Sequence, residues 1–417
     1  MKNHSIFLSL FFLLLIGCGK TPSLPSHGTS GSAAMSDSVF LANAGSMAMN
    51  YPDQFNWEVF ARICRSAASQ NQAPGGKMTN NVIWETWADD LLTFPDSPDV
   101  KIPPVFPGEK GSAKNLVAIT QQAVLVHALE KAKKNQVMII PNVAKMRAEE
   151  VRRNFASFNY IVTNDLWYQE GIALNFSQRT ANGSYDPVAF PVDAIEVKAV
   201  WDSIREEHKL NYHWNYDNTG QLYGLLALHL MTKAIPNWTW ATFEWVGNKG
   251  RCADMGCHDA FGVKPANVDP HPGPNNQRSP RSTDKAYAAG ELTDGVKALF
   301  KKYGLSDEWM NYRLKGSQID WVDATGRPTL VGNSVTEDGF VNTSSCISCH
   351  AIAGFYPNGK AKDWFFDSPA PPPNSNLNLL VGPTGAISPD TFWHNGQAIY
   401  LAADFVWGLR KAQPVKN

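Results

Sequence analysis

Two thiols three positions apart, followed at once by an imidazole, stand at Cys346, Cys349 and His350 in the stretch NTSSCISCHAIAG (342 to 354). Covalent attachment of a c-type haem asks for two thiols that can add to the vinyl groups on one edge of a porphyrin. It also asks for a histidine that reaches the iron from one side. The CxxCH spacing meets both needs when it opens a short helix. Ser344 or Ser345 can cap such a turn, and Ala351, Ile352 and Ala353 can lie close to a flat ring. The competing reading is a CxxC redox pair or a zinc site beside an incidental His. Against zinc, no second CxxC or paired His at ligand spacing lies nearby.

The completing ligand is open. No Met follows the motif, the last being Met310, and the one His after His350 is His394. Earlier in the chain, His229 and Met231 lie two residues apart in LLALHLMTK. The sixth iron ligand is therefore expected from His229, Met310 or His394, or is nothing stronger than water. Two strong protein ligands suit electron transfer, whereas an open position admits peroxide or a gas. A second haem site is offered by GRCADMGCHDAFG, where Cys252, Cys257 and His258 form CxxxxCH, a longer spacer that some multihaem cytochromes use. The same two thiols can equally close a small disulfide in an oxidising compartment, and the polar surroundings tilt slightly that way.

The first residues suggest such a compartment. MKNHSIFLSLFFLLLIGCGK has a basic start and an apolar run too short to span a membrane. Its LIGC ending has the form of a bacterial lipobox. Residues 1–17 then read as a lipoprotein signal peptide and Cys18 as the lipidated first residue, with a plain secretory peptide as the alternative. The expected location is exported and anchored to a membrane by lipid, in the outer membrane facing the periplasm. Of six Cys, only Cys64 is left solitary, in the helical-looking FARICRSA, where it reads as a buried apolar residue. A formal net charge of -1 gives no basic footprint for nucleic acid.

The remaining patterning describes what must hold the motif. Residues 18–48 are rich in Ser, Gly, Pro and Ala and read as a flexible tether. Helical spacing appears at Leu116, Ile119, Ala123 and Val126, at Val151, Phe155 and Phe158, and at Leu292, Val296, Leu299 and Phe300. AIEVKAVW, GQLYGLLALHLMTKAI and NWTWATFEWV predict three strands of an antiparallel sheet, with Pro236 and Asn237 in the turn between the second and third. A terminal helix is expected near AADFVWGLRKA. The fold class is α+β: N-terminal helices, a central antiparallel sheet and a loop-rich C-terminal haem-bearing segment. The expected divisions are an α+β scaffold at 49–246, a long loop at 247–290 holding CxxxxCH, and a c-type haem segment at 291–417.

FNWEVFARI, VIWETWADD, NFASFNYIVTNDLW, FPVDAIEVKAVW, LLALHLMTKAIPNWTWATFEWV, SSCISCHAIAG and DFVWGL together resemble a family of bacterial exported cytochrome c proteins without an established reaction. They spread over residues 50 to 410 in the family's order. The resemblance implies that the long N-terminal part is the family's own scaffold, that Cys346 and Cys349 carry haem, and that His350 is the proximal ligand. It also matches His229 to a family histidine on the same strand. The chain departs where TFEHV is expected, with Trp245 at the His position. The leading expectation is single-electron transfer with a redox partner protein or a small donor or acceptor. A peroxidase-like enzyme, with His229 or Glu244 as distal acid/base, or a haem-based sensor, is the alternative. No phosphate-binding loop, G-x-S-x-G elbow or H-E-x-x-H occurs.

Overall fold

The computed structural model describes residues 31–416, apart from 69, 109–110, 112–113, 115, 117–146, 253–254, 269–286, 338–340, 342–343 and 362–384. The signal peptide, Cys18, the helix expected from Ile119 to Val126, most of the VDPHPGPNNQRSPRSTD loop and the SPAPPP stretch lie outside these residues. No helix among the described residues is long and apolar enough to cross a membrane.

Three helices come first: α1 (Gly31–Asn43), α2 (Gly45–Asn50) and α3 (Pro52–Ile63). The tether expected through residue 48 is thus helical from Gly31 onward. Small residues misled there, because Leu41, Ala44 and Ala48 bury against the main core and Asp37 pairs with Arg62 at 2.9 Å and Arg65 at 2.8 Å. Helix α3 starts on Pro52, whose missing N–H costs nothing at that position, and ends at Cys64, which is buried as expected. Next come β1 (Ala88–Asp89), α4 (Asp90–Thr93), β2 (Ala148–Arg153), α5 (Phe155–Thr163) and α6 (Gln169–Arg179). The helix expected through Val151, Phe155 and Phe158 is instead a strand and a helix. Asn154 separates them, accepting from Ser157 N at 3.1 Å as the N-cap of α5.

The expected strands form as β3 (Ile195–Ser203), β5 (Leu222–Thr232) and β6 (Thr239–Trp245), with the short β4 (Trp214–Tyr216) between the first two. Pro236 and Asn237 lie in the β5–β6 connection, which ends on Trp238 at a left-handed φ of 58°. Helix α7 (Asp294–Tyr303) is capped by Thr293 and stops at Gly304, whose φ of 66° suits a residue without Cβ. A further strand, β7 (Tyr312–Gln318), was not anticipated. It joins the edge of an antiparallel seven-stranded sheet of order β7-β6-β5-β3-β2-β1, with β4 beside the start of β5. The sheet therefore draws strands from both sides of the 247–290 loop. After β7 come α8 (Cys346–Ala351) and the ladder of β8 (Gly354–Phe355) with β9 (Leu401–Ala402). The expected terminal helix is only a 3-10 turn, Trp407–Lys411, because that stretch wraps around α8.

Alternation gives the sheet two different faces. Val197, Ala199, Leu228, Leu230, Ala241 and Phe243 point toward α3 and α7, where Phe243 stacks on Phe60 at 4.1 Å and meets Trp57 edge-on at 5.0 Å. A buried ion cluster closes the far end of this core: Glu85 binds Lys114 and His213, and Glu150 binds Lys114 and Arg152. The opposite face carries Lys198, His229 and Thr242 in one row and Glu196, Met231 and Trp240 in the next.

Truncation of Phe243 to Ala is expected to cost about 3–5 kcal/mol, read from the midpoint and slope of urea unfolding, since it opens a cavity between two aromatic layers. Burial alone would push the Glu85 carboxyl up, but Lys114 and His213 outweigh burial and hold it well below the usual carboxylate range. A depressed folded pKa contributes stability above the unfolded value and loses it as pH falls. Relative to Glu85→Gln, the native chain should lose its advantage below about pH 4.3. Urea titrations of both proteins at neutral and acid pH read this directly, and an advantage that grew in acid would contradict it.

Candidate haem-attachment site

Helix α8 is one and a half turns long and depends on neighbours for its position. Ser345 is its N-cap, with Oγ accepting from Ser348 N at 3.4 Å. Gln318, the last residue of β7, holds that end from the sheet: its Nε2 donates to Ser345 Oγ at 3.0 Å and its Oε1 accepts from Ile347 N at 3.0 Å. Ile347 is fully buried among Met231, Trp240, Phe355, Leu401 and Val406. The apolar residue between the two thiols thus plugs the core and anchors the motif helix against it.

The end of the chain closes over the helix. Ala403 N donates to Ala353 O at 2.9 Å and Trp407 Nε1 to Cys349 O at 3.1 Å. Between them Asp404 and Phe405 both take left-handed φ values, 47° and 70°, unusual for residues with a Cβ. Asp404 is held there by Lys233 at 2.6 Å and by the N–H of Phe190 at 2.7 Å. This turn aims the Phe405 carbonyl at His350, whose Nδ1 donates to it at 2.8 Å. A carbonyl can only accept, so Nδ1 carries the proton and Nε2 keeps its lone pair. Trp240 of β6 lies 4.6 Å from the same ring.

Burial is the main reason the His350 imidazolium is disfavoured, its pKa falling to about 4, with His229 and Lys198 adding to that and the Phe405 bond and Glu337 opposing it. The ring is therefore neutral at pH 7. Burial also pushes Cys349 up to about 11 and Cys346 well above its usual range. Both thiols are free, not bonded to each other.

Across from the motif, the loop carrying Glu337 lies on the sheet. Asn333 Nδ2 donates to Thr242 Oγ1 at 2.8 Å and Ser334 N to Glu244 Oε1 at 3.0 Å, while Val335 packs on Val200 and Ala227. Asn333 N donates to Glu337 Oε2 at 2.6 Å, leaving Oε1 at 3.4 Å from His229 Nε2. That approach is too poorly aligned for a hydrogen bond, and His229 Nε2 is buried without a hydrogen-bond partner among the described residues.

The sequence candidates separate clearly. His229 faces the motif side of the sheet. Met231, one row along, is packed into the core beneath Ile347. Met310 is 41% exposed in the 3-10 turn Asp307–Asn311 before β7, and His394 is exposed in a two-residue ladder with Gln397. Glu244 shares the His229 face but is committed to Ser334 and to Asn248, whose Nδ2 donates at 3.3 Å. Cys252 and Cys257 are bonded to each other, and His258 is exposed and paired with Asn267. The second haem weighed for Cys252, Cys257 and His258 is therefore not what the structure builds, because two thiols joined as a disulfide cannot add to a porphyrin.

Gln318, Trp240, Glu337, Phe405 and Trp407 hold or border the site and were not singled out beforehand. Trp240 sits at an alternating position of a predicted strand, and that signal could have found it. Nothing local marks Gln318 or Glu337. No group of three or more His, Cys, Asp or Glu among the described residues is placed to hold a metal ion unaided. No protein-family model matches the chain, and no curated protein or solved structure matches it either.

Gln318→Ala leaves the buried Ile347 N–H without its acceptor and removes one contact of the Ser345 hydroxyl, which keeps those to Ser348. The expected loss is about 1–3 kcal/mol of unfolding free energy in denaturant titrations, against less than about 0.5 kcal/mol for a surface change such as Arg327→Ala.

Proposed function

We propose that the chain is a c-type cytochrome of the exported family its segments resemble, carrying one haem on Cys346 and Cys349 with His350 as proximal ligand and passing single electrons. The observation that carries this reading is the His350 ring. It is neutral, its Nδ1 is spent on a backbone carbonyl, and its Nε2 keeps a lone pair on the same turn as two unbonded thiols. A ligating imidazole tied at its other nitrogen to a carbonyl is the arrangement that fixes ring orientation and raises ligand basicity. A porphyrin brings four of the iron's ligands with it, so a haem site asks for one or two protein ligands and not for a cluster of three. Bound there, haem would supply one-electron exchange at its iron.

The chain's own part is to hold and to exclude. Gln318 fixes the start of the motif helix, Phe405 orients the imidazole, Trp240 packs against it and Trp407 ties down the Cys349 carbonyl. A shell made rigid in this way favours electron transfer, which is fastest when the ligands barely move. Export is supported by the Cys252–Cys257 disulfide, a pairing typical of oxidising compartments. Anchoring through Cys18, in the outer membrane facing the periplasm, rests on the lipobox alone. The partner is a redox protein or a small electron donor or acceptor.

The test is haem content after expression of the full chain with a c-type maturation system. One haem per protein is expected, retained through acid–acetone extraction and denaturing electrophoresis. Cys346→Ser with Cys349→Ser should lose it, and Cys252→Ser with Cys257→Ser should leave the ratio at one. Haem that extracts from the native protein, or none at all, would refute the proposal.

A further inference from the structure

We infer that His229 supplies the second axial ligand, from the central strand β5, so that the iron is held between two imidazoles. The inference rests on the haem site proposed above and adds to it the far side of the iron. Of the three residues that could complete the coordination, Met310 and His394 are exposed, in a turn before β7 and in a small outer ladder. His229 instead lies on the sheet face that the motif helix covers. Its register partners are Lys198 and Thr242, which makes it the diagonal neighbour of Trp240, the residue in ring contact with His350.

His229 Nε2 is the unexplained atom. It is buried, it makes no hydrogen bond among the described residues, and the carboxylate closest to it, Glu337, stands at 3.4 Å in poor alignment. A buried imidazole nitrogen in that condition has lost water and gained only a long, poorly aligned carboxylate contact in its place. An iron atom is a partner that a neutral imidazole nitrogen satisfies well. The strand beneath it is bonded along both edges, so the ligand would be presented by one of the least mobile parts of the molecule. Glu337, fixed by Asn333 N, would stand as a negative charge beside this ligand.

The full-length holoprotein tests this without mutation first. Its electron paramagnetic resonance and near-infrared magnetic circular dichroism should carry the low-spin signature of two imidazoles, and its reduced optical spectrum should be unmoved by carbon monoxide. His229→Ala should turn the iron high-spin and let carbon monoxide bind. His229→Met should restore a low-spin iron with a raised reduction potential, since methionine ligation raises it. Met310→Ala and His394→Ala should keep the native spectrum. A native protein that is high-spin and takes up carbon monoxide would overturn the inference. So would a histidine–methionine signature in the native protein, or an unchanged spectrum in a folded His229→Ala variant that keeps one haem. These results are distinct from the failure of the haem site itself, in which no covalent haem is present to examine.

Discussion

Strand β5 is hydrogen-bonded to β3 along one edge and to β6 and β4 along the other, so its residues cannot trade faces without breaking two ladders at once. Leu228 and Leu230 point into the aromatic core built on α3, while His229 and Met231 point the other way. A slip of one residue would drive an imidazole in among Phe60 and Phe243 and lay two leucines against the polar loop at 333–337. The apolar face makes that slip expensive. Packing on one side of the sheet thereby sets the chemistry on the other.

The motif helix is too short to place itself, and three separate parts of the chain do so for it. The sheet reaches it through Gln318, the inner layer through Ile347, and the chain end through Ala403, Phe405 and Trp407. The last of these contacts requires two consecutive left-handed residues, Asp404 and Phe405, each at a cost of about 1–3 kcal/mol. Lys233 and Phe190 hold Asp404 in that turn, so the strain is met by contacts to elements far away in the chain. The strained turn sits where the Phe405 carbonyl meets His350 Nδ1.

Much of this was legible in the residues. The alternation in AIEVKAVW, the β-type and aromatic residues of GQLYGLLALHLMTKAI and NWTWATFEWV, and the turn chemistry at Pro236 and Asn237 marked three strands and their connection. Leu292, Val296, Leu299 and Phe300 marked α7 in the same local way. The failures share a cause. Val151, Phe155 and Phe158 fall at helical spacing by coincidence across the Asn154 cap. Strand β7 hides behind a bulge between Leu314 and Gly316, and behind Arg313 and Lys315, buried charges that a sequence reading places in solvent. Of the site, the thiols and both imidazoles were visible as residue types. Gln318, Glu337 and Phe405 were not, since each acts through the partner it meets at long range and carries no pattern of its own.

The wrapping of α8 by the chain's last stretch has a temporal consequence. The edge strand β7 follows β6 only after the 247–290 segment has been made, and residues 401–409 emerge later still. During synthesis the contacts that residues 403–407 make with the motif are therefore among the later ones to form. Trp407 can meet the Cys349 carbonyl, and Phe405 can meet His350, only once that stretch has been made. The order of residues along the chain is also a schedule, in which the support that the sheet gives the motif precedes the support given by residues 403–407.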